Sequence, residues 1–368
     1  MRLTNYWWLL IWLFTGGIVL AFGFPRKRKL VFGKVEEQWS VIPAVLMVMP
    51  YIVWAGNRGY FGDTNVYRKG FLETPAMFGQ ISEYMSTITK DKGFYFMTAV
   101  MHCLFGDNSV AYFTIIAVFQ LLIIAFVCRK FSCNYWFSIF VFIASTDYLS
   151  WVQNGMRQFI AVTIIFAATD FIVKKQYVKA IVVVLIASLF HQSALLMLPI
   201  IFVVQGKPWN KKTLLAIALS LLALVFASRF TTILDSVLSD TQYTNVVSDW
   251  TLGNDDGTNP LRILVYAMPM IFSIIGKNQI RKMKDPFLNV GVNASIITTC
   301  IGLLSIGTSG IFIGRLPIYV STISNWLLLP WELEHIFEEA TGKLIMGITI
   351  CSYIIFFYYQ MHIAWGAI

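Results

Sequence analysis

Residues 6–24 read YWWLLIWLFTGGIVLAFGF, a run without one charged side chain, and runs of this kind recur along the whole chain with short polar links between them. In lipid every backbone N–H and C=O has to be bonded inside its own segment, and crossing a hydrocarbon core of about 30 Å takes roughly 20 apolar residues of helix. The pattern predicts an all-α, polytopic integral membrane protein. With 57% hydrophobic and 13% charged residues, little polar sequence is left for a soluble domain, so residues 1–368 read as a single transmembrane domain. The first run is followed by PRKRK and not by a small-residue cleavage site, which marks it as a span. Five dispersed cysteines without a Cys-x-x-Cys read as packing residues.

Charge orders the spans. The net +9 is gathered into RKRK at 26–29, Arg129–Lys130, KKQYVK at 174–179, KPWNKK at 207–212 and KNQIRKMK at 277–284. Such clusters between apolar runs mark cytoplasmic links, which accounts for the charge without nucleic acid as a partner. With all five on one side, spans are expected over 6–24, 38–56, 109–128, 134–150, 156–173, 213–231, 260–276, 287–307, 311–329 and 343–361, with both termini outside.

Two apolar pieces break this alternation. GFYFMTAVMHCLFG (93–106) is too short to cross and reads as an interfacial or re-entrant helix. The run at 180–204 has lysines at both ends, which predicts a broken helical hairpin over about 177–204 with its break at Phe190–Gln192. Irregular backbone at membrane depth has to line protein or a wet cavity, here an outward-facing one. The outer segment 57–108, which includes the short helix, and a second outer loop at 231–260 hold much of the polar sequence. Their acidic, hydroxyl and aromatic side chains suit sugar hydroxyls and ring faces.

The cations expected on the outer side are rich in arginine, whose rigid fork suits phosphate. Arg157 stands in the first turn of an outward-facing helix, where free amides and the helix dipole already favour an anion. Arg262 opens a span after Asn259–Pro260. Arg315 lies between apolar flanks, where a charge costs at least about 2.5–3.5 kcal/mol and calls for a cavity or partner. Arg58, beside the long outer loop, reads on its own as a headgroup anchor. His191 falls at the inferred break with Gln192 and Ser193 beside it, and Asp63 in GDTNVY is the best-placed loop carboxylate, a position that also suits a turn former. Without a His-Glu-x-x-His or a carboxylate cluster, no metal is expected.

RGYFGDTNVY (58–67), KGFYFM (92–97), MRQFIAVTIIF (156–166), LIASLFHQSALLMLPI (185–200), LRILVYAMP (261–269) and GRLPIYV (314–320), in this order and spacing, resemble the EpsG-like family of bacterial exopolysaccharide polymerases, similar in role to the Wzy O-antigen and capsule polymerases. The resemblance covers about residues 50 to 330. It implies a metal-independent membrane glycosyltransferase without a cofactor, working at the outer face of the bacterial inner membrane. Its substrates would be a glycan donor and acceptor carried on polyprenyl diphosphate, with a chain-length regulator and a flippase as candidate partners. Carried over residue by residue, it puts His191, Asp63 and Arg157 in catalytic positions and Arg58, Tyr67, Gln158, Ser193, Arg262 and Arg315 in substrate-binding ones. One position departs from the pattern: where many relatives have Glu-Pro before the Gly-Phe of the short helix, this chain has Asp91–Lys92, so no acid role is expected there.

The chemistry these residues allow is a glycosyl transfer. The arginines would clamp the diphosphate as its charge grows, and His191, with an imidazole's ordinary pKa of about 6.5, or Asp63 would take the acceptor's proton. A flippase would spread its cations along a path through both leaflets, whereas the intramembrane cations here gather at the outer ends. A glycan ligase shares nearly all of this chemistry and stays open. A membrane acyltransferase would use a histidine but not several outward arginines.

Overall fold

A computed structural model of the chain describes residues 6–31, 34–226, 258–307, 310 and 312–367. It divides into two compact units, one made of 1–172, 176–198 and 344–368, the other of 173–175 and 199–343.

In the first unit the opening apolar run forms α1 (Trp7–Gly23), and the basic link after it forms a feature absent from the all-α expectation, a hairpin of β1 (Lys27–Val31) and β2 (Lys34–Gln38). The strands pair antiparallel with Arg28 opposite Glu37, an opposite-charge cross-strand pair that offsets crowding of the cations. Next come α2 (Val41–Gly56), α3 (Thr64–Leu72), α4 (Ile81–Thr87), α5 (Lys92–Phe105), α6 (Ser109–Phe131), α7 (Tyr135–Ala144) and α8 (Met156–Ala167). After these lie α9 (Thr169–Val173) and α10 (Tyr177–Ser188). The short helix expected at 93–106 is α5. Side chains cap two of these helices: Asn108 accepts from the Ala111 N–H at the start of α6, and Asn134 from the Phe137 N–H at the start of α7.

Apolar helices are tied together by the polar tips of large aromatics. Tyr51 donates to the Leu9 carbonyl at 2.8 Å, Trp12 to that of Met47 at 2.9 Å, and Tyr135 to that of Ala44 at 2.7 Å. These buried N–H and O–H groups fix helix register in a way that apolar contacts alone do not. The segment over 57–108 is not a free loop. Phe71 and Phe94 from it share one buried cluster with Tyr112 and Phe113 of α6 and Met156 and Ile160 of α8, and Tyr67, Tyr95 and Phe190 pack against that cluster.

Among the described residues three helices are long and apolar enough to cross a membrane: α6, Pro286–Ile306 and Glu339–Ala364. A fourth candidate is bent by 76° between Pro260–Ile275 and Lys277–Met283. The other expected spans are shorter or interrupted helices, and the interruptions have local causes. The 134–150 run ends as α-helix at Ala144, passes Thr146 at φ +66°, and continues as a π-helix over Tyr148–Asn154. The 177–204 run breaks at His191, which is extended (φ −158°), and resumes as a 3₁₀ turn over Gln192–Leu196 and a short helix, α11 (Met197–Val203). The loop expected at 231–260 lies almost wholly outside the described residues.

In the second unit α12 (Lys211–Val225) and the Pro260–Ile275 helix both pack on the Pro286–Ile306 helix. Buried amides hold it: Asn293 donates to the Val204 carbonyl at 3.0 Å, and Asn325, on a π-helical stretch over Ser324–Leu328, donates to that of Val265 at 3.4 Å.

Candidate functional site

The start of α5, the start of α8 and the break at His191 meet in one place, and Asp91 is where they meet. Asp91 precedes α5 in the left-handed region (φ 52°), a conformation that aspartate tolerates better than most residues. Its side chain, 1% exposed, turns away from its own helix. Oδ1 accepts from the Gln192 N–H at 3.0 Å, and Oδ2 lies 3.2 Å from Nη1 of Arg157. Beside this link the Gly93 N–H donates to the Leu189 carbonyl at 2.8 Å. A Cβ on Gly93 would come within 2.9 Å of the Leu189 Cβ and 3.0 Å of its carbonyl oxygen, so the close approach of α5 to the break requires glycine.

Arg157 stands in the first turn of α8, as its place after Asn154–Gly155 led one to expect. Its guanidinium also donates to the Tyr95 hydroxyl at 3.2 Å and lies 5.9 Å from the centre of the Phe94 ring. Its backbone N–H donates to the Tyr67 hydroxyl at 3.4 Å. The side chain remains 24% exposed. One edge of the fork is thus fixed by an acid and a phenol while part of the group still meets the surroundings. Gln158 beside it is buried.

His191 is buried and connected to this junction through its neighbour Gln192, whose amide Asp91 holds. Its Nδ1 lies 2.7 Å from the Ser193 hydroxyl. In the tautomer that carries its proton on Nδ1, the ring donates to Ser193 and leaves Nε2 as the basic nitrogen, the form a general base needs.

Arg58 corrects the reading of a headgroup anchor. It is 3% exposed, and its guanidinium donates to the carbonyls of Ala55 at 2.7 Å, Val152 at 3.0 Å and Gln153 at 3.3 Å while lying 4.2 Å over the Phe113 ring. Burial lowers its pKa to about 10, which leaves it charged at neutral pH. Two of those carbonyls belong to the π-helix, whose wider turn leads straight into Gly155 and Arg157. From the same turn the Asn154 Oδ1 accepts the Asp63 N–H at 2.9 Å. Asp63 itself is half-buried at the N-terminus of α3.

In the second unit the segments that precede the other two arginines touch each other. Arg262 opens the Pro260–Ile275 helix and donates to the Tyr266 hydroxyl at 3.1 Å. Thr258, just before that helix, donates its N–H to the Ser305 carbonyl at 3.0 Å and abuts Gly314, the residue before Arg315. Arg315 ends a 3₁₀ turn over Ile313–Arg315.

Asp91 and Tyr95 escaped the sequence reading, which expects no acid role at position 91; the structure places the Asp91 carboxylate 3.2 Å from the Arg157 guanidinium. Flanked by Lys90 and Lys92, it looks like part of a solvated charge run. The readable signal was the acid two residues before Gly93, where a helix start and a mandatory glycine coincide. Burial raises the Asp91 pKa, with Arg157, the Gln192 amide and Lys90 pulling it back.

No curated protein and no solved structure matches the chain. A family model described as EpsG family matches residues 41–365, a range that takes in the Arg157 junction, Arg58 and both arginines of the second unit, and the chain therefore belongs to the EpsG family.

Proposed function

We propose that this membrane protein is a polysaccharide polymerase that joins oligosaccharide repeat units carried on polyprenyl diphosphate at the outer face of the bacterial inner membrane. The observation that carries this reading is the Arg157 guanidinium, fixed 3.2 Å from Asp91 at the start of α8 and linked through Gln192 to His191. A donor glycan binds with its diphosphate at Arg157, and Arg262 and Arg315 are proposed, within the second unit, as cations for a lipid-linked substrate. The hydroxyl at the non-reducing end of the acceptor attacks the anomeric carbon. The new C–O bond forms as the bond to the diphosphate breaks, the electron pair leaves on the diphosphate, and the hydroxyl proton passes to His191. Guanidinium charges neutralise the leaving group, so the reading calls for no metal. Tyr67, whose hydroxyl accepts the Arg157 N–H from α3, and Gln158 and Ser193 on α8 and the break would contact sugar or phosphate, while Arg58 supports the turn that presents Arg157. Asp63 is the alternative base.

The test is polymer formation in cells that lack their own polymerase but make the matching lipid-linked repeat, with wild type or Arg157→Ala present at equal membrane abundance. Long glycans from wild type and single repeats from Arg157→Ala are expected. The same ladder from both would remove Arg157 from the site, and no ladder from wild type would turn the assignment towards ligation or transport.

A further inference from the structure

The Asp91 side chain makes no capping hydrogen bond to the helix it precedes and directs both carboxylate oxygens to other elements. The arrangement is costly: a carboxylate taken out of water at a left-handed, non-glycine backbone. The junction does not need it for closure, since the Gly93–Leu189 backbone bond already joins the same two segments. A buried acid facing a part-exposed guanidinium has an electrostatic use instead.

We propose that Asp91 is the built-in counter-ion of Arg157, a positioning residue that aims the guanidinium and offsets its charge, so that the lipid diphosphate is held in register and released after transfer. The inference rests on reading Arg157 as a diphosphate ligand. An anion arriving at the exposed edge of Arg157 meets the positive fork with a negative charge behind it. Its ground-state binding is weaker than a lone arginine would give, and binding that is equally tight before and during transfer adds nothing to turnover.

Inorganic pyrophosphate is the probe, its affinity measured by calorimetry on the purified full chain in detergent, beside polymer yield at matched membrane abundance. Asp91→Asn keeps the shape and an oxygen for the Gln192 amide but removes the charge. It is expected to bind pyrophosphate about fivefold tighter while polymer yield falls about fivefold or more. Misfolding lowers both quantities, so their opposed movement is the signature. Asp91→Ser, neutral and smaller, should move both in the same directions, and Asp91→Glu, which keeps the charge, should leave the affinity within about twofold of wild type. Unchanged or weaker pyrophosphate binding in both neutral variants overturns the counter-ion role. Arg157→Ala separates the two levels. If it binds pyrophosphate like wild type, the reading of Arg157 fails; if it loses binding while the neutral Asp91 variants leave affinity unchanged, only the counter-ion role fails.

Discussion

Arg58 spends its guanidinium on three backbone carbonyls and a phenyl face, all within the protein. Its removal leaves those acceptors without partners where water is excluded, at about 1–3 kcal/mol each. Arg58→Ala should therefore lower stability by about 3 kcal/mol or more, and Arg58→Lys should recover little because an ammonium cannot span the fork; thermal unfolding in detergent measures both. For Asp91 the sign runs the other way. Its folded pKa is raised above 3.8, so the folded chain keeps the proton at pH values where the unfolded chain has lost it. The stability this contributes is present below the ordinary carboxylate value and is lost as pH rises through the raised one. Asp91→Asn should then leave stability at neutral pH unchanged or higher, whereas Arg157→Ala, which strands the carboxylate, should cost about 3 kcal/mol. The same shift gives wild-type activity an acid limb above the ordinary carboxylate range, as protonation of Asp91 releases Arg157; a pH profile of Asp91→Asn should lack that limb. If His191 is the base, His191→Ala lowers the polymerisation rate by about 10²-fold or more and Asp63→Asn by far less; the reverse order would move the base to Asp63.

The elements that serve the site are the irregular ones. Regular helix would satisfy the carbonyls of Val152 and Gln153 internally; the π-helix over Tyr148–Asn154 leaves them to Arg58 and turns α8 so that Arg157 faces α5. The break between α10 and α11 likewise frees the Gln192 N–H for Asp91. The break lies against the start of α5, and Gly93 sets that distance. Gly93→Ala puts a methyl into backbone as well as side chain, so the helix has to move. A loss of about 1–3 kcal/mol is expected, with polymer yield falling further than abundance; a fully active Gly93→Ala protein would show that α5 can stand off from the break without consequence.

At the scale of the whole molecule, the basic links are proposed to set the orientation. Reporter fusions at Asp107, beyond α5, and at Lys284, in the last basic cluster, should report outside and inside respectively, and the opposite pair would reverse the proposed facing of the site. The apolar runs by themselves determined that the chain is helical and built for a membrane, because backbone desolvation acts on each segment locally. Arg157 at a helix start and the break at His191 were legible for the same reason: a cation after Asn154–Gly155 and polar residues inside an apolar run are local signals. The β1–β2 hairpin was not, since RKRK reads as a charged link until Glu37 is seen across from Arg28. Nor was Asp91, whose amide partner is 101 residues away, or the inward use of Arg58, whose acceptors are 94 and 95 residues away. Sequence pattern sets where helices start, stop and turn polar. Which acid meets which arginine is decided by packing, because only the assembled helices exclude water and bring together residues far apart in the chain.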